Sequence, residues 1–78
     1  MARLVFLGRL ADVAGAGEIS VEAGPLEALI ARLPAAVAEA VRGLRIRVAV
    51  NGVVLAPGAS AEIAAGDEVA FLPPVSGG

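Results

Sequence analysis

The stretch Phe71-Leu72-Pro73-Pro74-Val75-Ser76-Gly77-Gly78 constrains this chain more than any other. An apolar run with strand character meets two consecutive prolines there. Each proline fixes φ at about −65° and has no N–H, so a sheet ladder must end at Pro73. A Pro-Pro step favours extended polyproline II and directs the last residues away from the body. Gly77 and Gly78 carry no side chains, which suits them to a narrow channel. At about 3.3 Å per residue the chain from Pro73 onward reaches roughly 20 Å, enough to enter another protein's active site. Chain ends rich in small residues are often merely frayed. The order strand, prolines, glycines instead favours a tail with a task. The expected division is a domain over residues 1–72 and a flexible tail over residues 73–78.

The rest of the chain has to hold that tail with little help. In 78 residues there is no cysteine and no histidine, which excludes disulfides, thiolate chemistry and the usual zinc sites. A chain this small sits near the lower limit for a self-sufficient core, so its stability rests on packing. Hydrophobic residues make up 58%, much of that alanine, and Phe6 and Phe71 are the only aromatics. Charges break every apolar run before the roughly 20 residues a membrane helix needs. Met1-Ala2-Arg3-Leu4 lacks a signal-peptide layout, so the cytoplasm is the expected location and no membrane partner is expected. The net charge is −2, and six scattered arginines form no basic patch interleaved with aromatics, so nucleic acid is not an expected partner. The chain has no lysine. Any lysine acting on the tail must come from a partner.

Hydrophobic spacing predicts the elements. Ala2–Leu7 reads as a strand, with Leu4 and Phe6 on one face and Arg3, Val5 and Leu7 on the other. Arg9–Ala14 predicts a helical turn closed by Gly15 and Gly17. Glu18–Glu22 alternates as a second strand pairing back on the first. Gly24-Pro25 opens a helix with proline at its first position, and Leu26, Leu29, Ile30 and Leu33 form one apolar stripe. Pro34 interrupts it, and Ala35–Arg42 restarts it with Val37, Val41 and Leu44 continuing the stripe. Gly43 is the expected helix terminator. Arg45–Val50 alternates as a strand with Ile46, Val48 and Val50 inward. Asn51-Gly52 predicts a type I′ hairpin turn into Val53-Val54-Leu55. Ala56–Ala61 reads as loop, Glu62-Ile63 as a short turn, Gly66-Asp67 as a tight turn, and Glu68–Leu72 as the last strand. A hairpin, a helix crossover and further strands give an α+β chain with about five strands in a mixed sheet and one helical layer. This is the β-grasp, or ubiquitin-like, arrangement.

One helical layer covers one face of such a sheet, yet the first and last strands are apolar on both. Val5, Leu7, Ala70 and Leu72, with Val54, are left as an apolar patch beside the root of the tail. Such a patch on a small domain marks an interaction site unless the Arg9–Ala14 segment or a loop folds over it. No catalytic set can be assembled: Ser20, Ser60 and Ser76 have no histidine or lysine to activate them. Asp67 and Glu68 point to opposite faces of a strand, and Asp67 suits the turn. The one reactive group in an unusual setting is the Gly78 carboxylate.

The run Asp67-Glu68-Val69-Ala70-Phe71-Leu72-Pro73-Pro74-Val75-Ser76-Gly77-Gly78 resembles the C-terminus of the small, sulfur-carrying subunit of molybdopterin synthase. Supporting likeness comes from Leu4-Val5-Phe6-Leu7, the Arg9–Gly15 segment, the Pro25–Leu33 helix and Val48-Ala49-Val50-Asn51-Gly52. The resemblance implies that an activating enzyme of the ubiquitin-activating type, an adenylyltransferase, uses ATP to adenylate Gly78. A sulfur donor then leaves a thiocarboxylate there. The tail, with Pro73, Pro74, Val75, Ser76 and Gly77, enters the large subunit, and sulfur passes to a cyclic pyranopterin precursor. It implies further that catalytic residues belong to the large subunit, that this chain binds no cofactor, and that the assembly is a heterotetramer. Members often carry aromatics where Leu7 and Leu72 stand, although leucine still offers about 2 kcal/mol of burial. Three other roles stay open: a carrier for thiamine or cysteine synthesis, a β-grasp binding module with an unmodified tail, and a modifier joined to lysines through Gly78.

Overall fold

The computed structural model describes residues 1–74. The first strand, β1 (Ala2–Phe6), lies between β2 (Glu18–Val21) and β7 (Glu68–Leu72). The antiparallel β1–β2 pair and the parallel β1–β7 pair form the middle of a sheet completed by β4 (Arg47–Val50) and β5 (Val53–Val54). The order across the sheet is β2-β1-β7-β4-β5. A mixed five-stranded sheet with helices on one face is the expected β-grasp fold.

Each of β1 and β7 has a neighbouring strand on both edges, and the helices cover one face of each. Their register sets Leu4 beside Val69 and Phe6 beside Phe71, and the two phenyl rings stack with centroids 5.6 Å apart. Leu4, Phe6, Val69 and Phe71 face the helical layer and are buried. Against them pack α1 (Arg9–Ala14), α2 (Leu26–Ala31) and α3 (Ala35–Val41) through Leu10, Leu26, Leu29, Ile30, Val37 and Val41. The short α1 ends at Gly15, whose left-handed φ of 76° lets its N–H reach the Ala11 carbonyl. Since Leu10 belongs to the core, α1 lies on the helical side and does not cover the opposite face.

Several local expectations are corrected. Pro25 caps α2 in extended conformation instead of occupying its first turn, and Gly24–Pro25 forms β3, a two-residue strand. Its partner is β6 (Glu62–Ile63), which the sequence suggested was a turn. That pairing seats Ile63 in the core at 2% exposure. Gly43 does not adopt the left-handed conformation. The Gly43 N–H bonds instead to the Ala40 carbonyl, and the Ile46 N–H bonds to the Gly43 carbonyl, so the helix leaves through tight turns. Those turns swing Leu44 fully into solvent and delay β4 to Arg47. Strand β1 stops at Phe6, one residue early, because Gly8 turns the chain into α1.

Candidate functional site at the root of the tail

The face opposite the helices is built by alternation. On β1, Arg3 and Val5 alternate with buried Leu4 and Phe6; on β7, Glu68, Ala70 and Leu72 alternate with buried Val69 and Phe71. The register places Val5 beside Ala70, Ala70 beside Ala49, and Ala49 beside Val54. An apolar row therefore crosses four strands. Leu7 joins it from the end of β1, where its N–H donates to the Phe71 carbonyl, and Leu72 continues it toward the tail. Val54 is 56% exposed and Leu7 40%, while Val5, Ala70 and Leu72 are half-buried. Among the described residues nothing covers this face.

Polarity is graded along it. At the end remote from the tail, one Arg3 guanidinium bridges Glu18 at 3.6 Å and Glu68 at 3.3 Å. These exposed pairs add little stability, but they leave that end without a net apolar character. The tail end is different. Arg47 stands opposite Leu72 in the antiparallel β4–β7 pair, and Leu44, Arg45, Val54, Pro73 and Pro74 complete a cleft of about 510 Å³ there. A second depression of about 320 Å³ lies between α2, the 43–48 segment and the 55–60 loop and shares Leu44 and Arg47 with the cleft.

The start of β7 is held by a polar clamp. Asn51 sits at φ 50° in the turn after β4, and its side-chain N–H donates to the Asp67 carboxylate at 2.9 Å. The Ala64 backbone N–H donates to the other oxygen at 2.8 Å, and the Asn51 side-chain oxygen accepts from the Glu68 N–H at 3.0 Å. The bond from Asn51, and next that from Ala64, hold the Asp67 carboxyl below its ordinary value by favouring the charged form. Asp67 is thus a turn-builder, as its position suggested.

The far end of β7 meets Gly8. This residue has φ 56° and ψ −133°, and a Cβ there would stand 3.1 Å from Pro73 Cγ. The parallel β1–β7 pairing thus sets the first proline of the tail against the end of β1. Gly8 was not singled out from the sequence. The strand order that gives it meaning is non-local.

The structure gathers Val5, Leu7, Val54, Leu72, Pro73 and Pro74 around one face and one exit. Val75, Ser76, Gly77 and Gly78 lie outside the described residues. Among the described residues there is no cluster of acidic side chains able to hold a metal ion, and no helix long and apolar enough to cross a membrane.

A family model, described as the ThiS family, matches residues 4–78, which includes the strands, the helices and the tail. The chain belongs to the ThiS family. A crystal structure of SAMP1 from Haloferax volcanii is 34% identical to this ThiS-family chain, with a TM-score of 0.72 over 99% of this chain and 98% of that one. A second crystal structure, of H. volcanii small archaeal modifier protein 1, has a TM-score of 0.64 at 24% identity. It covers 95% of this chain and 97% of that one, and supports the fold alone. No curated protein matched the chain. Family and fold together make this a small ubiquitin-like sulfur-carrier-type protein, a class that works with partner enzymes.

Proposed function

We propose that this chain is the sulfur-carrying small subunit of molybdopterin synthase, with the Gly78 carboxylate as its reacting group. One observation carries the reading: β7, a central strand of the sheet, ends at Pro73-Pro74 beside an uncovered apolar face. The tail thus starts from a strand held on both edges, and the adjacent face offers a docking surface.

A carboxylate is a poor electrophile and must first be activated. One Gly78 carboxylate oxygen attacks the α-phosphorus of ATP on an adenylyltransferase of the ubiquitin-activating type, and pyrophosphate leaves. A sulfur donor then displaces AMP, which leaves a thiocarboxylate. The large subunit receives the loaded tail, supplies the catalytic residues, and directs the sulfur to a cyclic pyranopterin precursor. In this scheme Val5, Leu7, Val54 and Leu72 dock, Pro73 to Ser76 span the channel, and Gly77 and Gly78 pass its narrowest part. The chain contributes no acid or base; its work is presentation.

The likeness to the small archaeal modifier protein of Haloferax volcanii favours a second reading, in which Gly78 is joined to lysines of other proteins. Removing Gly78 tests the shared core of both. The shortened chain should fold as before, by amide spectra, and fail to be adenylated or to donate sulfur. Sulfur transfer by the shortened chain would overturn the assignment of Gly78.

A further inference from the structure

The cleft at the root of the tail has a charge that the rest of the chain does not explain. Among the described residues Arg3, Arg32 and Arg42 each pair with a glutamate; Arg9 makes no ion pair, and neither do Arg45 and Arg47. Both line the cleft, and no carboxylate does, although the chain carries eight acidic residues against six basic ones. Leu44, Val54 and Leu72 line the same cleft, together with Pro73 and Pro74. Leu44 is completely exposed, so a four-carbon apolar side chain stands in water beside two unpaired cations.

We infer that this cleft is a second docking element, distinct from the flat apolar row, and that it takes an acidic segment of the enzyme that activates the tail. The segment would bring carboxylates to Arg45 and Arg47 and an apolar side chain to Leu44 and Val54. Guanidinium groups bind carboxylates through paired charge-assisted bonds, which fix orientation as well as adding attraction. Charge complementarity selects an acidic partner. A nucleic acid fits poorly, because two cations without an aromatic stacking platform cannot track a phosphate backbone. Val54 and Leu72 belong to both the row and the cleft, so one partner can span the two continuously. Position gives the cleft its use: a segment seated there holds the chain at the point where the tail departs, which orients the last residues along one path.

This inference rests on the proposed carrier function, and one experiment separates the two. The probe is the enzyme fraction, from cells that make the chain, whose ATP–pyrophosphate exchange depends on adding the full-length chain. Arg45→Glu/Arg47→Glu should raise the half-saturating chain concentration at least tenfold at low salt, with the maximal rate kept, and should flatten its salt dependence. Arg32→Glu/Arg42→Glu, with the same net charge and placed away from the cleft, should stay within about twofold of the parent, the sensitivity expected of distant surface charges. Circular dichroism of both variants should match the parent. Equal weakening by the two pairs, or none by the cleft pair, overturns the inference while leaving the carrier reading standing. Absence of exchange with the unaltered chain overturns both.

Discussion

Gly8 and Pro73 meet where the tail begins: a Cβ on Gly8 would lie 3.1 Å from Cγ of the Pro73 ring. Gly8 also has φ 56° with ψ −133°, a conformation that L residues with side chains rarely adopt. Both constraints act at the exit of β7, so this glycine fixes where the tail leaves the sheet.

Gly8→Ala should therefore carry two penalties, backbone strain and displacement of the Pro73 ring. The expected loss is about 1–3 kcal/mol in urea unfolding, with amide shifts moving at Leu72. Gly58 provides the comparison, since it has φ 77° but open space around it. Gly58→Ala should cost only strain, about 1 kcal/mol, and leave Leu72 unmoved. Equal costs with no shift at Leu72 would mean that Gly8 does not position the tail.

The clamp between Asn51 and Asp67 sets an acid limit. Hydrogen bonds from Asn51 and Ala64 depress the Asp67 pKa in the folded chain relative to the unfolded one. The stabilisation is fully present above the unfolded value and is lost as pH falls through the folded one. Asp67→Asn removes that titration. The variant should melt lower than the parent at neutral pH, and the gap should narrow as pH falls below about 4, near the ordinary carboxylate range. Parallel melting curves across that window would show that the clamp does not contribute.

The β-grasp fold was legible because its signals are local. Alternation marked the faces of β1 and β7, Asn51-Gly52 marked the hairpin, and Leu26, Leu29, Ile30 and Leu33 marked the helix stripe; all four of the latter are buried. The misreadings have two physical causes, distant strand pairing and a local break in helical phase. Glu62-Ile63 looks like a turn until Gly24-Pro25 lies beside it, and only then is Ile63 a core residue. Leu44 keeps the helical spacing on paper, yet the turns at Gly43 break the phase and send it outward. The open apolar face was visible as a surplus of apolar positions. The cleft was not, since Arg45, Arg47 and Leu72 come together only through the β4–β7 register.

Leu72 tests the docking role of that face. It is half-buried on the side no helix covers, so Leu72→Asp should leave the fold in place. The new carboxylate would stand opposite Arg47, so the loss is chiefly the burial of the leucine side chain, and binding to the protein that receives the tail should weaken by about 2 kcal/mol. Isothermal calorimetry measures this directly. Unchanged affinity would remove the face from the interface.

The most direct test is the intact mass of the chain isolated from the cells that produce it. A sulfur carrier predicts a population heavier by the exchange of one oxygen for sulfur, and fragmentation should place the change at Gly78. A chain ending only in an ordinary carboxylate, or found only in isopeptide linkage to lysines, would contradict sulfur transport as its function.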